Sequence, residues 1–347
     1  MGVASVEKQY FLELWEAAHK AVAKLACIKP GERVLVIADT LADMRVVEAV
    51  TAAARAVGSE AAMVVYEARR EVNVEPPPQV AAAMKESDVI ISLPLMYILH
   101  TKAYVESLQS GARILELTGM DVDMMVRLIG RVDYDAMCIL GDEIAEILQR
   151  GREVEISSPS GTKLRFENSP DRPVYHNNGI VDTPGVYKPL GGQISWAPVE
   201  ESIEGVIVAD GFIWPPDEIG VLKSPVKLTM REGGIVKIEG GSEARIFEKW
   251  LASLNDEKMY YIAHASLGFH PEARLRGIPL EDERVYGCAE FGFGSQSPKF
   301  KGKLGFAKAH TDLNTLNTTI KVDGELLAEN GRFIHPELKE LDAKLLS

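Results

Sequence analysis

The sequence predicts an α/β protein, in which an N-terminal domain built on a parallel sheet precedes a mostly antiparallel α+β domain. Short apolar runs alternate with helix-length segments before residue 150, and paired strands flank turn motifs after it. The 347 residues also exceed what one hydrophobic core usually holds, which is roughly 250–300 residues. We therefore expect an N-terminal domain over residues 1–150 and a β-rich domain over residues 151–347.

The first 150 residues have the pattern of βαβ units. Short β-rich apolar runs predict strands at Arg33–Ala38, Ala61–Tyr66, Asp88–Leu93 and Arg113–Thr118. Helical patterns precede or separate them at Ser5–Cys27, Asp43–Val57, Gln79–Lys85 and Lys102–Gln109. Strands connected through helices pair in parallel, so this half predicts a parallel sheet.

After residue 150 the pattern changes to antiparallel hairpins. Turn motifs separate Glu153–Ile156 from Lys163–Phe166 and Val226–Met230 from Ile235–Ile238, and a further hairpin lies within Thr319–Leu327. One helix is predicted at Glu243–Leu254. Glycine and proline are frequent over residues 170–225, which predicts long connecting loops there.

Composition excludes several classes of protein. The hydrophobic fraction of 46% and charged fraction of 26% are ordinary for globular domains. A net charge of −13 argues against nucleic acid and anionic membrane surfaces as partners, because both need clustered Lys and Arg. The longest apolar stretch, Val89–Leu99, falls well short of the roughly 20 residues that cross a bilayer.

The expected location is the cytoplasm. Glu7 and Glu13 interrupt the N-terminal region where an export signal would need an apolar core. Cys27, Cys138 and Cys288 are scattered, which favours neither a disulfide framework nor a cysteine metal site.

His310 and Asp312 form the tightest candidate site. Residues two apart on a strand face the same side, so both side chains can reach one metal ion. His264 lies in another alternating segment and can supply a third ligand. Two histidines and a carboxylate suit Fe(II), and the same set accepts Zn2+ or Mn2+. A structural histidine beside a turn aspartate would show the same spacing, so the pattern alone leaves both interpretations open.

Three further sequence blocks carry a family resemblance. They are residues 191–198 (GGQISWAP), residues 201–205 (ESIEG) and residues 289–294 (AEFGFG), followed by His310-x-Asp312. With these blocks the chain resembles the aminopeptidase T-like superfamily of metallopeptidases over nearly its whole length. Leu99-His100-Thr101, Ile262-Ala263-His264 and residues 309–313 (AHTDL) are similar to the branch of 2,5-dihydroxypyridine 5,6-dioxygenases.

The resemblance implies a mononuclear non-haem Fe(II) enzyme that opens the ring of a dihydroxylated N-heterocycle with O2. It implies metal ligation by His264, His310 and Asp312, and a role for His100 as general base or substrate-orienting residue. Glu290 is expected to orient a ligand or bond the substrate. The family also implies a homo-oligomer. Four nearby aromatic side chains could line a flat pocket or could equally belong to the core: Trp196, Phe291, Phe293 and Tyr187.

The chain also departs from the superfamily pattern. Gln193 stands where the peptidases have a glutamate that helps to hold a second metal, which disfavours a dinuclear hydrolytic centre. Gly294 and Ser295 straddle the position of a serine near the metal in the dioxygenases. A histidine of the dioxygenases falls here among Tyr187, Lys188 and Pro189.

Two other functions remain open from the sequence. One is a metal-dependent aminopeptidase or amidohydrolase, in which the ion activates water. The other is a binding protein that keeps the fold without the metal. His100 has its own structural alternative, a histidine at the start of a helix that bonds to the backbone.

Overall fold

The computed structural model describes residues 10–347 and shows two compact units. The first unit contains the described residues up to Val132 and the segment Asn178–Gly191, and the second contains Asp133–Asn177 and Gly192–Ser347. These limits differ from the predicted boundary between residues 150 and 151. The helix that begins at Tyr134 packs on strands of the second unit. The later strand Tyr187–Pro189 pairs with a strand of the first unit.

The secondary structure of the described residues is as follows. The strands are β1 (Arg33–Asp39), β2 (Glu60–Tyr66), β3 (Val89–Ser92), β4 (Arg113–Glu116), β5 (Glu153–Ser157), β6 (Lys163–Glu167), β7 (Tyr175–Asn177), β8 (Tyr187–Pro189), β9 (Gln193–Trp196), β10 (Glu204–Ala209), β11 (Phe212–Trp214), β12 (Gly220–Val221), β13 (Val226–Arg231), β14 (Gly234–Gly240), β15 (Ile262–Gly268), β16 (Cys288–Gly294), β17 (His310–Thr315), β18 (Thr319–Val322), β19 (Glu325–Glu329) and β20 (Arg332–Phe333). The helices are α1 (Phe11–Lys20), α2 (Met44–Ala56), α3 (Pro78–Lys85), α4 (Lys102–Gln109), α5 (Val122–Met124), α6 (Tyr134–Arg150), α7 (Ser242–Ser253), α8 (Pro279–Asp282) and α9 (Lys339–Leu345).

The first unit is organised around a parallel sheet with the strand order β2-β1-β3-β4-β8. Strands β3 and β4 are buried along their whole length, as parallel strands covered on both faces are. Apolar side chains of the sheet and of two helices form the core: Leu35, Ile37, Ile90, Ile114, Met84 and Tyr104. The predicted βαβ alternation is confirmed.

Helices α2, α3 and α4 begin and end close to their predicted limits, whereas α5 was not predicted. The Asp43 side chain accepts a hydrogen bond from the Arg45 amide and so caps α2, and the Thr101 hydroxyl accepts from the Tyr104 amide to cap α4. Within the predicted helix Ser5–Cys27, α1 and a π-helical turn at Ala21–Leu25 are present, and Ser5–Gln9 lie outside the described residues. No helix within residues 10–347 is long and apolar enough to span a bilayer.

The second unit contains two antiparallel sheets. One has the order β14-β13-β10-β6-β5-β18-β19-β20, and the other has the order β12-β11-β17-β16-β15-β9-β7. All three predicted hairpins lie in the first of these sheets, and the predicted helix Glu243–Leu254 corresponds to α7. The mostly antiparallel second half is therefore confirmed.

Two other parts of the chain differ from the prediction. Helix α6 was not predicted, and it buries an apolar face that contacts β7, β9 and α9. The segment of residues 170–225, predicted as long loops, contains the short strands β7 to β12. Strands of two to six residues with Gly and Pro between them lack the long apolar run by which a strand is recognised.

Candidate metal centre

His310 and Asp312 lie on β17, a central strand of the seven-stranded sheet. Nε2 of His310 is 3.0 Å from Oδ1 of Asp312, so the two side chains share one face of the strand as predicted. The neighbouring residues Thr311 and Leu313 are fully buried. The alternation of the sequence thus places an imidazole and a carboxylate side by side.

His264 reaches the same point from β15, two strands away. Its Nε2 lies 3.2 Å from Nε2 of His310 and 3.5 Å from Oδ1 of Asp312. One ligand atom from each of the three residues falls within 4.8 Å of the other two. Gly292 on the intervening β16 pairs with His264 on one side and Asp312 on the other, and its lack of a side chain leaves room for the His264 imidazole.

Desolvation favours the neutral form of both imidazoles. Burial lowers the pKa of His264 well below its usual value, and His310 and Lys299 lower it further. Burial also lowers the pKa of His310. Neutral imidazole offers a nitrogen lone pair, which is the form that binds a metal ion.

The hydrogen bonds of His310 fit a metal ligand. Its Nδ1 donates to the carbonyl oxygen of Ser295 over 2.8 Å, so Nε2 carries the lone pair that faces His264 and Asp312. Of the two residues that straddle the predicted serine position, Ser295 therefore contacts the site through its backbone, and Gly294 pairs with His310 across the sheet. Two histidine nitrogens and a carboxylate oxygen that converge in this way match the donor set of a metal site.

Glu290 lies directly behind His264 and is fully buried. Its Oε1 is 3.7 Å from Nδ1 of His264. Burial, together with Asp312 and Glu283, raises the pKa of Glu290 well above its usual value. The predicted place of Glu290 beside a ligand agrees with this geometry, and its role in the reaction stays a prediction.

Gln193 holds two carboxylates behind the three candidate ligands. Its Nε2 donates to Oε2 of Glu290 over 3.1 Å and to Oε2 of Glu283 over 3.4 Å. Its Oε1 accepts from Asn177 and Arg284, at 3.3 Å each, which fixes the orientation of the amide. An amide donor thus lies between the two acidic side chains.

Sequence reasoning missed several members of this network. Residues 281–284 (EDER) have the composition of an exposed turn, yet Glu281, Asp282 and Arg284 are buried. Ser195 and Ser266 are also buried beside the site, and nothing in their local sequence distinguishes them from other strand serines. Their positions follow from pairing between β9, β15 and β16, which local patterns do not encode.

Three of the four aromatic candidates belong to the core, which is one of the two interpretations predicted for them. Trp196, Phe291 and Phe293 are core side chains, and Nε1 of Trp196 donates to Asn168. Phe300 lies against His264 instead, with ring centroids 5.5 Å apart. The Lys299 ammonium lies over the ring of Phe300 at 5.0 Å.

His100 belongs to the first unit, whereas the other predicted site residues belong to the second. It lies in the loop between β3 and α4 and is exposed, and its backbone amide donates to Oδ1 of Asn73. Tyr187, the remaining predicted pocket residue, lies on β8, where its ring meets that of Tyr104 edge-on. The catalytic role of His100 stays a prediction.

Solved structures of other proteins share this fold. The chain is similar to the 2,5-dihydroxypyridine dioxygenase from Pseudomonas putida, with 20% identity and a TM-score of 0.76 over 94% of this chain and 98% of that chain. It is also similar to AmpT from Thermus thermophilus, with 16% identity and a TM-score of 0.67 over 94% of this chain and 100% of that chain. No curated protein matches the chain.

A family model is more specific than these likenesses of fold. The model named NicX, 2,5-dihydroxypyridine 5,6-dioxygenase, matches residues 14–335. This match confirms the predicted enzyme class, a ring-cleaving dioxygenase that uses a small aromatic substrate, O2 and a metal cofactor. The chain belongs to the 2,5-dihydroxypyridine 5,6-dioxygenase family.

Proposed function

We propose that this protein is a mononuclear non-haem Fe(II) dioxygenase that opens the ring of a dihydroxylated N-heterocycle such as 2,5-dihydroxypyridine, with His264, His310 and Asp312 as the metal ligands. The single observation that carries the ligand assignment is the convergence of Nε2, Nε2 and Oδ1 of these residues within 4.8 Å. The substrate class comes from the family, whose model spans residues 14–335.

The donor set favours Fe(II) over Zn2+ and Mn2+ when it is combined with the family. Two histidines and one carboxylate form the ligand set of many Fe(II) oxygenases. When bound, Fe(II) supplies Lewis acidity and redox chemistry with O2 at the coordination positions that three protein ligands leave open.

The protein's own residues hold and surround this centre. The Ser295 carbonyl fixes the orientation of His310, and Gln193 holds the Glu290 carboxyl behind His264. The Phe300 ring offers a flat apolar surface beside His264, and the Lys299 ammonium next to that ring favours a substrate with anionic character. A deprotonated ring hydroxyl has this character.

His100 is the candidate base for that deprotonation. In the strand order, β2 lies on one side of β1 and β3 lies on the other. The connection from β1 to β2 and the connection from β3 to β4 therefore run in opposite directions along the sheet, away from the point between β1 and β3. Loops at the carboxyl ends of strands beside such a point are the usual ligand-binding loops of parallel sheets. His100 follows β3 in one of these loops, and histidine is the side chain that most often serves as a general base in enzymes.

The hydrolytic alternative finds less support. A second metal ion would favour hydrolysis. That ion would need carboxylate ligands, whereas the Gln193 amide donates hydrogen bonds to both Glu290 and Glu283. Similarity to AmpT at 16% identity speaks for the fold alone. Self-association and a cytoplasmic location remain predictions, of which the first is checked by light scattering.

Metal content of anaerobically prepared protein tests the ligand assignment. The wild type loaded with Fe(II) should retain iron after desalting, and His310→Ala should lose it while its circular dichroism stays unchanged. His335→Ala is the matched control, because His335 is a buried histidine that contacts Glu325 and lies outside the candidate site. Full iron occupancy in His310→Ala would exclude His310 as a ligand.

A further inference from the structure

The outer edge of β2 differs from the other sheet edges within residues 10–347. Each sheet ends in two outer strands, and four of these have only two or three residues: β7, β8, β12 and β20. The longer outer strand β14 contains a bulge at Val236 and the charged residues Lys237 and Glu239. Short strands, bulges and charges are features by which proteins prevent pairing at a sheet edge.

Strand β2 is long, regular and apolar at its centre. It pairs with β1 over seven residues in unbroken register, and its five central residues are AAMVV. Two of them, Met63 and Val65, are 48% and 42% exposed. An outer strand of this kind is expected to pair with another strand, because its free backbone groups and apolar side chains are a template for one.

The hydrogen bonds of β2 show which of its backbone groups face outwards. The Glu60 amide and the Tyr66 carbonyl bond to residues that flank β1, so these two residues face β1. Alternate residues of a strand direct their N–H and C=O groups to opposite sides. Ala61, Met63 and Val65 therefore direct theirs to the outer edge, with which no strand of the described residues pairs.

We propose that the outer edge of β2 is an interface between two copies of this chain, in which the two β2 strands pair antiparallel about a two-fold axis at Met63. In this register Met63 lies opposite its own copy, and Ala61 lies opposite the partner subunit's Val65. Each of these pairs exchanges two main-chain hydrogen bonds, so the register uses every outward N–H and C=O group of the three residues. A two-fold pairing of one strand with itself closes as a dimer.

The charges at the two ends of β2 favour a second copy as the occupant of this edge. Glu60 begins the strand, and Arg69 follows its end with its guanidinium over the Tyr66 ring, 6.0 Å from the centroid. Antiparallel pairing about Met63 places Glu60 opposite the partner subunit's Tyr66 and on the same face of the sheet. The carboxylate of Glu60 then lies beside the guanidinium of the partner subunit's Arg69, and the symmetry forms this contact twice.

Both members of this pair have capacity for a further bond. Nη2 of Arg69 donates to the Glu75 carbonyl oxygen over 3.5 Å, whereas its Nε is buried and has no hydrogen-bond partner in the described part of the chain. Glu60 is exposed, and its carboxylate forms no ion pair with residues 10–347. A carboxylate beside an incompletely bonded guanidinium is favourable, since hydrogen bonds between charged groups are the stronger ones.

Sedimentation velocity over a range of protein concentrations measures the self-association. We expect the wild type to self-associate, and Glu60→Arg and Arg69→Glu each to weaken the association roughly 10-fold, because each variant loses two ion pairs per dimer and gains like-charge contacts. The double variant Glu60→Arg/Arg69→Glu should regain the wild-type dissociation constant, since the pairs form again with reversed charges. Glu239→Arg is the control, because Glu239 lies on the outer strand β14 of the second unit and should leave the association unchanged.

Met63→Pro tests the backbone pairing separately from the charges. The Met63 amide faces outwards, so proline removes a donor of the interface while the ladder with β1 stays intact, as outer strands allow. Association should weaken by roughly 10-fold or more in Met63→Pro and stay near the wild-type value in Met63→Leu, with unchanged circular dichroism in both. A wild type that is monomeric at all concentrations, association that none of these variants weakens, or charge reversals that do not rescue each other would overturn the inference.

Discussion

Gly292 is the position at which a single methyl group should disable the metal centre. A Cβ at this residue would lie 2.4 Å from Nε2 of His264 and 2.7 Å from its Cδ2 and Cε1. Non-bonded atoms of this kind are best separated by roughly 3.5–4.0 Å, so the ring would have to retreat by about 1 Å. The backbone of Gly292 cannot yield instead, because it is paired on both sides, with His264 and with Asp312.

Such a shift exceeds what metal coordination tolerates. Ligand distances in metal sites vary by about 0.2 Å, so an imidazole displaced by about 1 Å no longer serves as a ligand. We expect Gly292→Ala to bind Zn2+ at least 10- to 100-fold more weakly than the wild type, since even lost outer partners of ligands cost that much. Chelator competition measures the affinity.

Gly151→Ala provides the matched control for overpacking. Its Cβ would lie 2.1 Å from Cγ1 of Val322, and its backbone angles, φ −76° and ψ 148°, suit alanine. Both variants should lose about 1–3 kcal/mol of unfolding free energy in urea, the usual cost of overpacking. Only Gly292→Ala should lose metal affinity, and wild-type affinity in that variant would refute the described geometry of His264.

Three further predictions concern other parts of the molecule. His100→Ala should keep its metal and lose roughly 100-fold or more in turnover, as expected for a general base, and near-normal steady-state rates across neutral pH would exclude the role. Burial raises the pKa of Glu116 from 4.5 to about 7, so the stability present below about pH 4.5 is lost as the pH rises through 7, by roughly 3 kcal/mol. Glu116→Gln, which cannot ionise, should flatten this decline in urea unfolding between pH 5 and pH 8, and a decline as steep as that of the wild type would locate the cause elsewhere. Because Gln193 bonds both Glu290 and Glu283, titration should find one tightly bound metal ion per chain, and two would favour the hydrolase.

Local patterns predicted the elements that depend on local sequence. The βαβ half was recognisable because its strands are apolar runs and its helices have capping residues, such as Asp43 and Thr101. The candidate ligand pair His310 and Asp312 was recognisable because alternation on one strand fixes which side chains share a face.

Features that depend on strand pairing between distant segments could not be predicted in this way. Ser195 and Ser266 are 71 residues apart in the chain, and only the register of β9 on β15 makes them neighbours. The fit of Gly292 against His264 depends likewise on the pairing of β15 with β16. Strand β8 has three residues and no apolar run, so it became recognisable only through its pairing with β4.

Oxygen uptake by the anaerobically loaded Fe(II) protein tests the proposed reaction most directly. With 2,5-dihydroxypyridine as substrate, we predict O2 consumption that matches the loss of the substrate's near-ultraviolet absorbance, abolished in His310→Ala and retained in His335→Ala. Absence of uptake with a set of hydroxypyridines and dihydroxybenzenes, together with cleavage of an aminoacyl chromogenic substrate, would contradict the dioxygenase and establish the hydrolase.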